Sequence, residues 1–282
     1  MKKIFSCMFI MAVFFRLLSC NNNNSSTEKN NTMDSTSNAI SHIKGIPVSY
    51  SDGNLTMNGF IAYDSTSEAA RPVVLVIPEW WGVTDYTRSR ASKLAALGYF
   101  AMTVDMYGNG AVADDPATAQ KLSTPFYTNF NLGKGRIDAA LAKAKTYQQA
   151  DTSQVAAIGY CFGGAQVLNA VRLGENFKGV VSFHGNLVGA PAVKDLLKAP
   201  ILVCHGEDDQ FVKTEEVAEF KKQMDSIGAV YTFKSYPGAT HAFTNPGATE
   251  IGKKFNMPIA YNAAADTASW NEMKTFFKKI FK

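Results

Sequence analysis

A cysteine in a glycine-rich run is the residue of this chain best suited to covalent chemistry. Cys161 lies in the pattern Gly159-x-Cys161-x-Gly163, and Gly164 follows directly. A nucleophile at the tip of a sharp strand-to-helix turn needs small residues two positions before and after it, because the two backbones approach closely there. A helix N-terminus also favours the thiolate. The pattern predicts that Cys161 is a nucleophile, while a glycine-rich turn with a structural cysteine is the alternative.

An acid and then a histidine follow the cysteine, in the order that a triad on such a turn requires. Asp209 lies 48 residues after Cys161, and His241 lies 32 residues after Asp209, each beyond an apolar, strand-like segment. A neutral imidazole can accept the thiol proton, and an acid behind it fixes the tautomer and orientation of the ring. The spacing therefore predicts a Cys-His-Asp triad that forms an acyl-enzyme. Asp208 and Glu207 compete with Asp209 for the role of the acid.

The remaining histidines and cysteines of this region are interpreted as structural. His184 and His205 each follow a predicted strand, where a histidine can be a satisfied strand-end residue. Cys204 ends an apolar strand and is most simply a small core residue. It would have to be the resolving partner if the chain were instead a thiol-based redox protein. No C-x-x-C spacing occurs, so we expect no metal site and no cofactor, with water as the only co-substrate.

Alternating strand and helix patterns surround these residues from about residue 46 onward. Apolar and β-branched segments predict strands at 46–50, 55–63, 72–77, 99–104, 155–158, 179–183, 201–204 and 230–236. Helices are predicted at 87–97, 117–123, 135–149, 166–173, 215–227 and 264–281. The first two strands flank a turn sequence and predict a leading β-hairpin. The rest predicts an α/β domain with a mainly parallel central sheet flanked by helices on both faces.

The first twenty residues resemble an export signal. Residues 1–20 combine a basic start with an apolar stretch and end in Leu17-Leu18-Ser19-Cys20, which resembles a bacterial lipobox. Cys20 would then be the lipidated first residue of the mature chain. Arg16 interrupts the apolar stretch, and a plain cleaved signal peptide is the alternative. We expect an exported protein, lipid-anchored to a bacterial membrane on its periplasmic or cell-surface side.

Composition and charge limit the domain organisation and the classes of partner. Residues 21–42 are rich in Asn, Ser and Thr and predict a disordered tether, which leaves 43–282 as one catalytic domain. The formal net charge is +4, and the loss of Lys2, Lys3 and Arg16 with the signal segment lowers it to +1. Nucleic-acid binding therefore has no support. The expected partners are a small-molecule substrate and a membrane reached through the lipid anchor.

Five separated motifs, in the same order along the chain, resemble those of the dienelactone hydrolase family. They are Pro78-Glu79-Trp80-Trp81-Gly82, Asp105-Met106-Tyr107, Gly159-Tyr160-Cys161-Phe162-Gly163-Gly164, Gly206-Glu207-Asp208-Asp209-Gln210-Phe211-Val212 and His241-Ala242-Phe243. The resemblance covers about residues 43–282. It implies an α/β-hydrolase fold and hydrolysis of carboxylic ester or lactone bonds. In the family x-Phe-Val follows the acid, which supports Asp209 over Asp208.

The resemblance also implies a role for Glu79 and completes an oxyanion hole. It implies that Glu79 contacts the nucleophilic cysteine and governs its ionisation. A carboxylate beside a thiol disfavours the thiolate, so we expect Glu79→Gln to raise the resting thiolate fraction. The turn itself predicts the backbone N–H of Phe162 as one oxyanion donor. The resemblance places the second donor at Trp80.

The chain departs from the family where a substrate carboxylate would be held. The resemblance implies one arginine shortly after the Asp-x-Tyr motif and another four residues after the histidine, but Asn109 and Asn245 stand there. Asparagine cannot reproduce the bidentate, charge-assisted bonds of arginine to a carboxylate. We therefore expect a substrate other than dienelactone, a partly apolar neutral ester contacted by Trp81, Tyr107, Asn109 and Asn245. A non-catalytic surface-binding lipoprotein on the same scaffold is the competing interpretation, and the intact triad argues against it.

Overall fold

An eight-stranded sheet runs through the computed structural model, which describes residues 42–281. The strands are β1 (Ile43–Asp52), β2 (Leu55–Asp64), β3 (Arg71–Ile77), β4 (Phe100–Thr103), β5 (Ala150–Tyr160), β6 (Gly179–Phe183), β7 (Ile201–Gly206) and β8 (Tyr231–Tyr236). Their spatial order is β1-β2-β4-β3-β5-β6-β7-β8. The pairs β1–β2 and β2–β4 are antiparallel, and the pairs from β4 through β8 are parallel. The predicted mainly parallel sheet with a leading hairpin is confirmed.

Helices cover both faces of this sheet. Within residues 42–281 they are α1 (Asp85–Ala95), α2 (Pro116–Thr128), α3 (Phe130–Ala144), α4 (Phe162–Arg172), α5 (Thr214–Ser226), α6 (Ala248–Phe255) and α7 (Ala263–Ile280). None of these helices is both long enough and apolar enough to cross a membrane. The predicted signal segment with Cys20, and the predicted tether except its last residue, lie outside the described residues.

The central strand β3 shows why the sheet needs both helical layers. Val73, Leu75 and Ile77 pack against buried residues of α3, α4 and α5, whereas Val74 and Val76 pack against α1 and α7. A strand that is buried on both faces has a continuous apolar sequence rather than an alternating one. Each fully buried valine, leucine or isoleucine side chain contributes about 1.5–3 kcal/mol. The two layers therefore hold the strand ends of the site in place.

Two helices differ most from their predicted bounds, for reasons of packing and capping. The predicted segment 117–123 is part of the longer α2, which begins where the Asp115 side chain accepts hydrogen bonds from the N–H groups of residues 117 and 118. The helix continues past Pro125, although proline lacks an N–H, because Phe126 is buried against Phe162 with ring centroids 5.4 Å apart. The next helix, α3, begins five residues before the predicted start and includes two glycines. At one of them, Gly133, a Cβ would lie 2.2 Å from the side-chain oxygen of Gln166 in α4, so a larger residue would require that side chain to move.

One helix was not predicted at all. Residues 248–255 form α6, which ends at Asn256 in the left-handed conformation with φ +51°. It follows the loop that carries His241 and contributes to a small buried cluster with Ala242 and Ile259. The helix is short, with Gly247 before it and Gly252 inside it, and glycine disfavours a helix interior.

Candidate active site

The turn between β5 and α4 has the geometry that its glycines predict. Cys161 has φ +52° and ψ −117°, an unfavourable conformation for a residue with a side chain. A Cβ on Gly159 would lie 2.0 Å from the Gly163 carbonyl oxygen, and one on Gly163 would lie 2.3 Å from the Ile77 carbonyl oxygen. Both flanking positions therefore require glycine. The strained turn presents the Cys161 side chain at the sheet edge.

A histidine that was predicted to be a satisfied strand-end residue holds the backbone of this turn. His184 follows β6, and its Nδ1 accepts a hydrogen bond from the Cys161 N–H at 3.1 Å. Its Nε2 lies 2.7 Å from Thr244 Oγ1. Burial, together with the nearby His241 and Arg90, lowers the pKa of His184 well below its usual value. The neutral ring can therefore accept at Nδ1 and donate at Nε2, which no sequence signal indicated.

Asp209 and His241 meet as the spacing predicts. His241 Nδ1 lies 2.7 Å from Asp209 Oδ2, and Asp209 Oδ1 accepts a bond from the Phe211 N–H at 2.8 Å. Both side chains are buried, whereas Asp208 and Glu207 are exposed. The structure therefore brings Asp209, rather than either alternative acid, to the histidine.

Cys161 interacts with the same imidazole. Burial opposes protonation of His241, but the charges of Cys161 and Asp209 and their hydrogen bonds outweigh it and raise the pKa of His241 well above its usual value. A raised pKa makes the ring a stronger base. Because Cys161 and His241 line the same cavity and Asp209 bonds to His241, the structure brings the three predicted residues together.

Glu79 has a hydrogen-bonding partner that the sequence did not predict. Glu79 is buried, and its Oε2 accepts a hydrogen bond from Asn245 Nδ2 at 2.7 Å rather than a bond from Cys161. Burial raises the pKa of Glu79 to about 7, although the bond from Asn245 opposes this shift. Glu79 and Cys161 still line the same cavity. Asn245 is therefore the hydrogen-bonding partner of Glu79, and the predicted contact between Glu79 and Cys161 stays a prediction.

Three of the four predicted substrate contacts lie outside the cavity lining, and their contact with substrate stays a prediction. Asn245 is occupied on both sides, since its Oδ1 accepts from the Gly247 N–H at 2.9 Å while its amide donates to Glu79. The Tyr107 hydroxyl donates to the Trp80 carbonyl oxygen at 2.8 Å. Asn109 is an exposed turn residue with φ +56°. Among the described residues that line the cavity, these three do not occur.

Trp81, the fourth predicted contact, does line the cavity. Its ring stacks on Phe255 of α6 with centroids 6.2 Å apart. The two predicted oxyanion donors, the N–H groups of Trp80 and Phe162, have no hydrogen-bond acceptor within the part of the chain that the structure describes. Free N–H groups beside the nucleophile are the arrangement that an oxyanion hole needs.

A cavity of about 630 Å³ opens in front of Cys161 and His241. Its aromatic lining consists of Trp80, Trp81, Tyr127, Phe130 and Phe211. Its acidic lining consists of Glu79 and Glu216, and no lysine or arginine of the described chain lines it. Sequence reasoning missed the contributions of α2, α5 and the loop at 186–189. Only the pair of aromatic residues beside Pro125 could have drawn attention to α2.

A buried ion pair supports the histidine loop from behind. Arg90 of α1 and Asp266 of α7 are 2.7 Å apart, and Arg90 also donates to the Thr244 carbonyl oxygen. The Thr244 hydroxyl bonds to Tyr86 at 2.6 Å and to His184 at 2.7 Å. The network connects two helices to the loop between His241 and Asn245. It was not predicted, because its members are far apart in the sequence.

Comparisons with known proteins show the family of this chain. The sequence model of the dienelactone hydrolase family matches residues 57–281. A provisionally named carboxymethylenebutenolidase of Aquifex aeolicus is 28% identical over 243 residues, which cover 84% of this chain and 100% of the relative. Protein usf of Aquifex pyrophilus is 26% identical over 246 residues, covering 83% of this chain and 98% of the relative.

Solved structures give the same result at the level of the fold. A dienelactone hydrolase-like promiscuous phosphotriesterase from metagenomic libraries superposes with a TM-score of 0.80 at 32% identity, covering 86% of this chain and all of that one. An esterase of Thermogutta terrifontis superposes with a TM-score of 0.62 at 15% identity, covering 84% of this chain and 94% of that one, and shows the fold alone.

Proposed function

The chain belongs to the dienelactone hydrolase family and is a hydrolase of ester or lactone bonds, and from that premise we propose that it works through a Cys161 acyl-enzyme on a substrate without a carboxylate. The observation that carries this proposal is the line from Asp209 through His241 to Cys161 at the mouth of the cavity. A binding scaffold has no need of a strained thiol paired with a buried histidine and acid.

The proposed reaction has two halves. His241 accepts the proton of the Cys161 thiol while the sulfur attacks the carbonyl carbon, and the carbonyl oxygen becomes an oxyanion. The C–O bond then breaks, and His241 returns the proton to the leaving alcohol. In the second half His241 accepts a proton from water, the hydroxide attacks the thioester, and the proton returns to the sulfur as the acid leaves.

The oxyanion is stabilised by the N–H groups of Trp80 and Phe162 in this proposal. Each such donor typically contributes about 2.7–4 kcal/mol to the transition state. Asp209 holds the imidazole with its Nε2 side toward the thiol, because the carboxylate bonds to Nδ1. Glu79, as a carboxylate near the thiol, would disfavour the resting thiolate until substrate enters. A thiol titration of Glu79→Gln that shows no rise in thiolate fraction would contradict that role.

The charges around the cavity support a substrate other than dienelactone. A substrate carboxylate would find no arginine or lysine among the described lining residues, and Asn245 is already bonded to Glu79. It would also lie near two acidic side chains. The five aromatic rings instead provide apolar surface for a neutral or positively charged molecule.

The nucleophile is tested with a panel of p-nitrophenyl esters and lactones. We expect Cys161→Ala to lose activity by a factor on the order of 10⁶, as deletion of a catalytic nucleophile does elsewhere. Cys204→Ala is the matched control, because Cys204 is the other free cysteine of the domain and is buried in β7. Mass spectrometry should detect an acyl adduct on Cys161 in the wild type.

Two results would overturn the proposal. Activity that survives in Cys161→Ala would remove Cys161 from the nucleophile role. A wild-type domain that hydrolyses nothing in the panel would instead favour the binding scaffold.

We also propose that residues 1–20 direct export and that Cys20 carries a lipid anchor. The motif before Cys20 supports this proposal, and it lies outside the described residues. The full chain should partition with membranes, and Cys20→Ala should move to the soluble fraction. Equal partitioning of the two forms would contradict the anchor.

A further inference from the structure

We propose that Glu216 makes the cavity selective for esters whose far end carries a positively charged ammonium group. This inference rests on the proposed function, because it names the substrate class of the same site. Glu216 is one of two acidic residues in the cavity lining, and it has no part in the proposed proton transfers.

The position of Glu216 is fixed by the loop that follows β6. Its Oε1 accepts hydrogen bonds from the N–H groups of Leu187 and Val188, the second at 3.1 Å. Its Oε2 has no hydrogen-bond partner within residues 42–281 and is not a buried atom. One oxygen therefore anchors the side chain, and the other stays accessible for a ligand.

The charge of Glu216 is not neutralised at the cavity surface. Glu216 forms no salt bridge in the part of the chain that the structure describes. Arg172 lies behind the loop, where its Nη2 donates to the Leu187 carbonyl oxygen at 2.9 Å. Burial lowers the pKa of Arg172 to about 10, which leaves it positively charged at neutral pH. Arg172 thus offsets part of the field of Glu216, but only the carboxylate lines the cavity.

Aromatic rings surround the same part of the cavity. Tyr127 and Phe211 both line it and remain 37% and 42% exposed. The Tyr127 hydroxyl donates to Asn186 Oδ1 at 3.5 Å, and Asn186 Nδ2 donates to the Phe211 carbonyl oxygen at 3.4 Å. Asn186 precedes Leu187, whose N–H donates to Glu216, so both rings lie beside the loop that holds the carboxylate. Aromatic faces and a carboxylate together form the usual recognition site for a quaternary ammonium group. The nucleophile and the ammonium site would therefore lie at opposite ends of one bound ester.

The test uses three p-nitrophenyl esters of similar length. Their acyl chains end in a trimethylammonium group, in the equally shaped but neutral tert-butyl group, or in a carboxylate. We expect the wild-type kcat/KM to fall in that order. Glu216→Gln should reduce kcat/KM for the ammonium ester about tenfold, from the loss of one partly screened charge interaction, and leave the tert-butyl ester within about twofold.

Two features of the chain ensure that Glu216→Gln tests the charge of this side chain rather than a change of structure or of net charge. Glutamine keeps a side-chain oxygen that can accept the bonds from Leu187 and Val188, so the loop stays anchored. Glu215→Gln is the matched control, because Glu215 is the exposed neighbour on the same helix and lies outside the cavity lining. The same change of net charge there should leave all three kcat/KM values as in the wild type.

A binding measurement separates this inference from the proposed function. Calorimetry with hexyltrimethylammonium and with hexanoate on Cys161→Ala requires no turnover. Binding of the cation at least about tenfold tighter than the anion, lost in the double variant with Glu216→Gln, supports the ammonium site even if no ester is hydrolysed. Equal binding of both ions, or equal effects of Glu216→Gln on all three esters, overturns it.

Discussion

The two sides of the cavity are built on different principles. One side, which we call the catalytic edge after the proposed function, consists of Glu79, Cys161 and His241, with Asp209 bonded to the histidine from behind. Glu79, Asp209 and His241 are each 6% exposed or less. The side chains of Glu79, Asp209 and His241 have hydrogen-bond partners on other elements. We call the opposite side the aromatic wall, defined as Tyr127, Phe130, Val188, Phe211 and Glu216. Within it, Val188 is 67% exposed and Phe211 is 42% exposed.

This difference separates the reaction from the choice of substrate. The catalytic edge is fixed by strand ends, by close backbone approaches at glycines and by the buried Arg90–Asp266 pair. The aromatic wall stands on the adjoining ends of α2 and α3, on the first turn of α5 and on two loops. Side chains on such surface positions can change without disturbing the core. Changes to the catalytic edge should therefore affect the rate strongly, while changes to the wall should affect mainly which ester binds.

Substitution of Asp209, the acid of the proposed triad, should have the largest effect in this comparison of the two sides. Asp209→Asn should lower kcat by about 10⁴-fold, because an amide behind the imidazole favours the wrong tautomer. The free energy of unfolding should change much less than the activation free energy. Steady-state kinetics on the best p-nitrophenyl ester and a urea titration of the same sample measure both.

The neighbouring acid provides the control for this variant. Asp208 is exposed, and its N–H bonds to the Ala239 carbonyl oxygen at 3.0 Å, a contact that does not involve its side chain. Asp208→Asn should leave kcat within about twofold. If the two variants lost activity equally, the catalytic edge would not depend on the geometry described here.

The contrast between the catalytic edge and the aromatic wall also explains which features of the site could be predicted from the sequence. Cys161, Asp209 and His241 follow strands, and the carboxyl ends of parallel strands meet at one edge of the sheet. Their meeting therefore follows from local patterns together with one rule of topology. The steric need for glycine at Gly159 and Gly163 is likewise local, and the structure agrees with it.

The aromatic wall and the supporting network depend on tertiary packing instead. Tyr127 and Phe130 lie beyond residue 123, where α2 was predicted to end, whereas the helix continues through Pro125 to Thr128. Asn245 was predicted to contact substrate, but its partner Glu79 lies 166 residues away in the chain. No spacing rule predicts such a pair. The chemistry of the site was thus more predictable than its walls.

The buried carboxyl of Glu79 should make stability depend on pH. Burial raises its pKa from 4.5 to about 7. Below pH 4.5 the group is protonated in both states and carries no penalty. As the pH rises toward 7 the unfolded chain loses this proton first, so stability falls, by about 3 kcal/mol in total. Glu79→Gln should remove that loss, which urea titrations at pH 4.5, 6 and 8 would measure.

The comparison between wild type and variant isolates this group from others that titrate in the same range. Glu207→Gln, at an exposed acid, controls for removal of a carboxylate as such. The difference in stability between wild type and Glu79→Gln should grow with pH and level off above pH 7. If stability changed with pH in the same way in wild type and in Glu79→Gln, burial of the Glu79 carboxylate would carry no free-energy cost. The catalytic edge would then differ less from the aromatic wall.

The smallest expected effect concerns the same valine-to-serine substitution at two positions, Val188 on the aromatic wall and Val181 in the sheet. Val188→Ser should change the free energy of unfolding by no more than about 0.5 kcal/mol, because the side chain is mostly exposed. It should raise KM for an apolar ester a few-fold with kcat unchanged, through lost apolar contact. Val181→Ser in β6, fully buried, should instead cost about 3 kcal/mol, from the cavity and the buried hydroxyl. If Val188→Ser lowered kcat and stability together, the wall would be part of the rigid frame, and substrate choice could not vary independently of the catalytic edge.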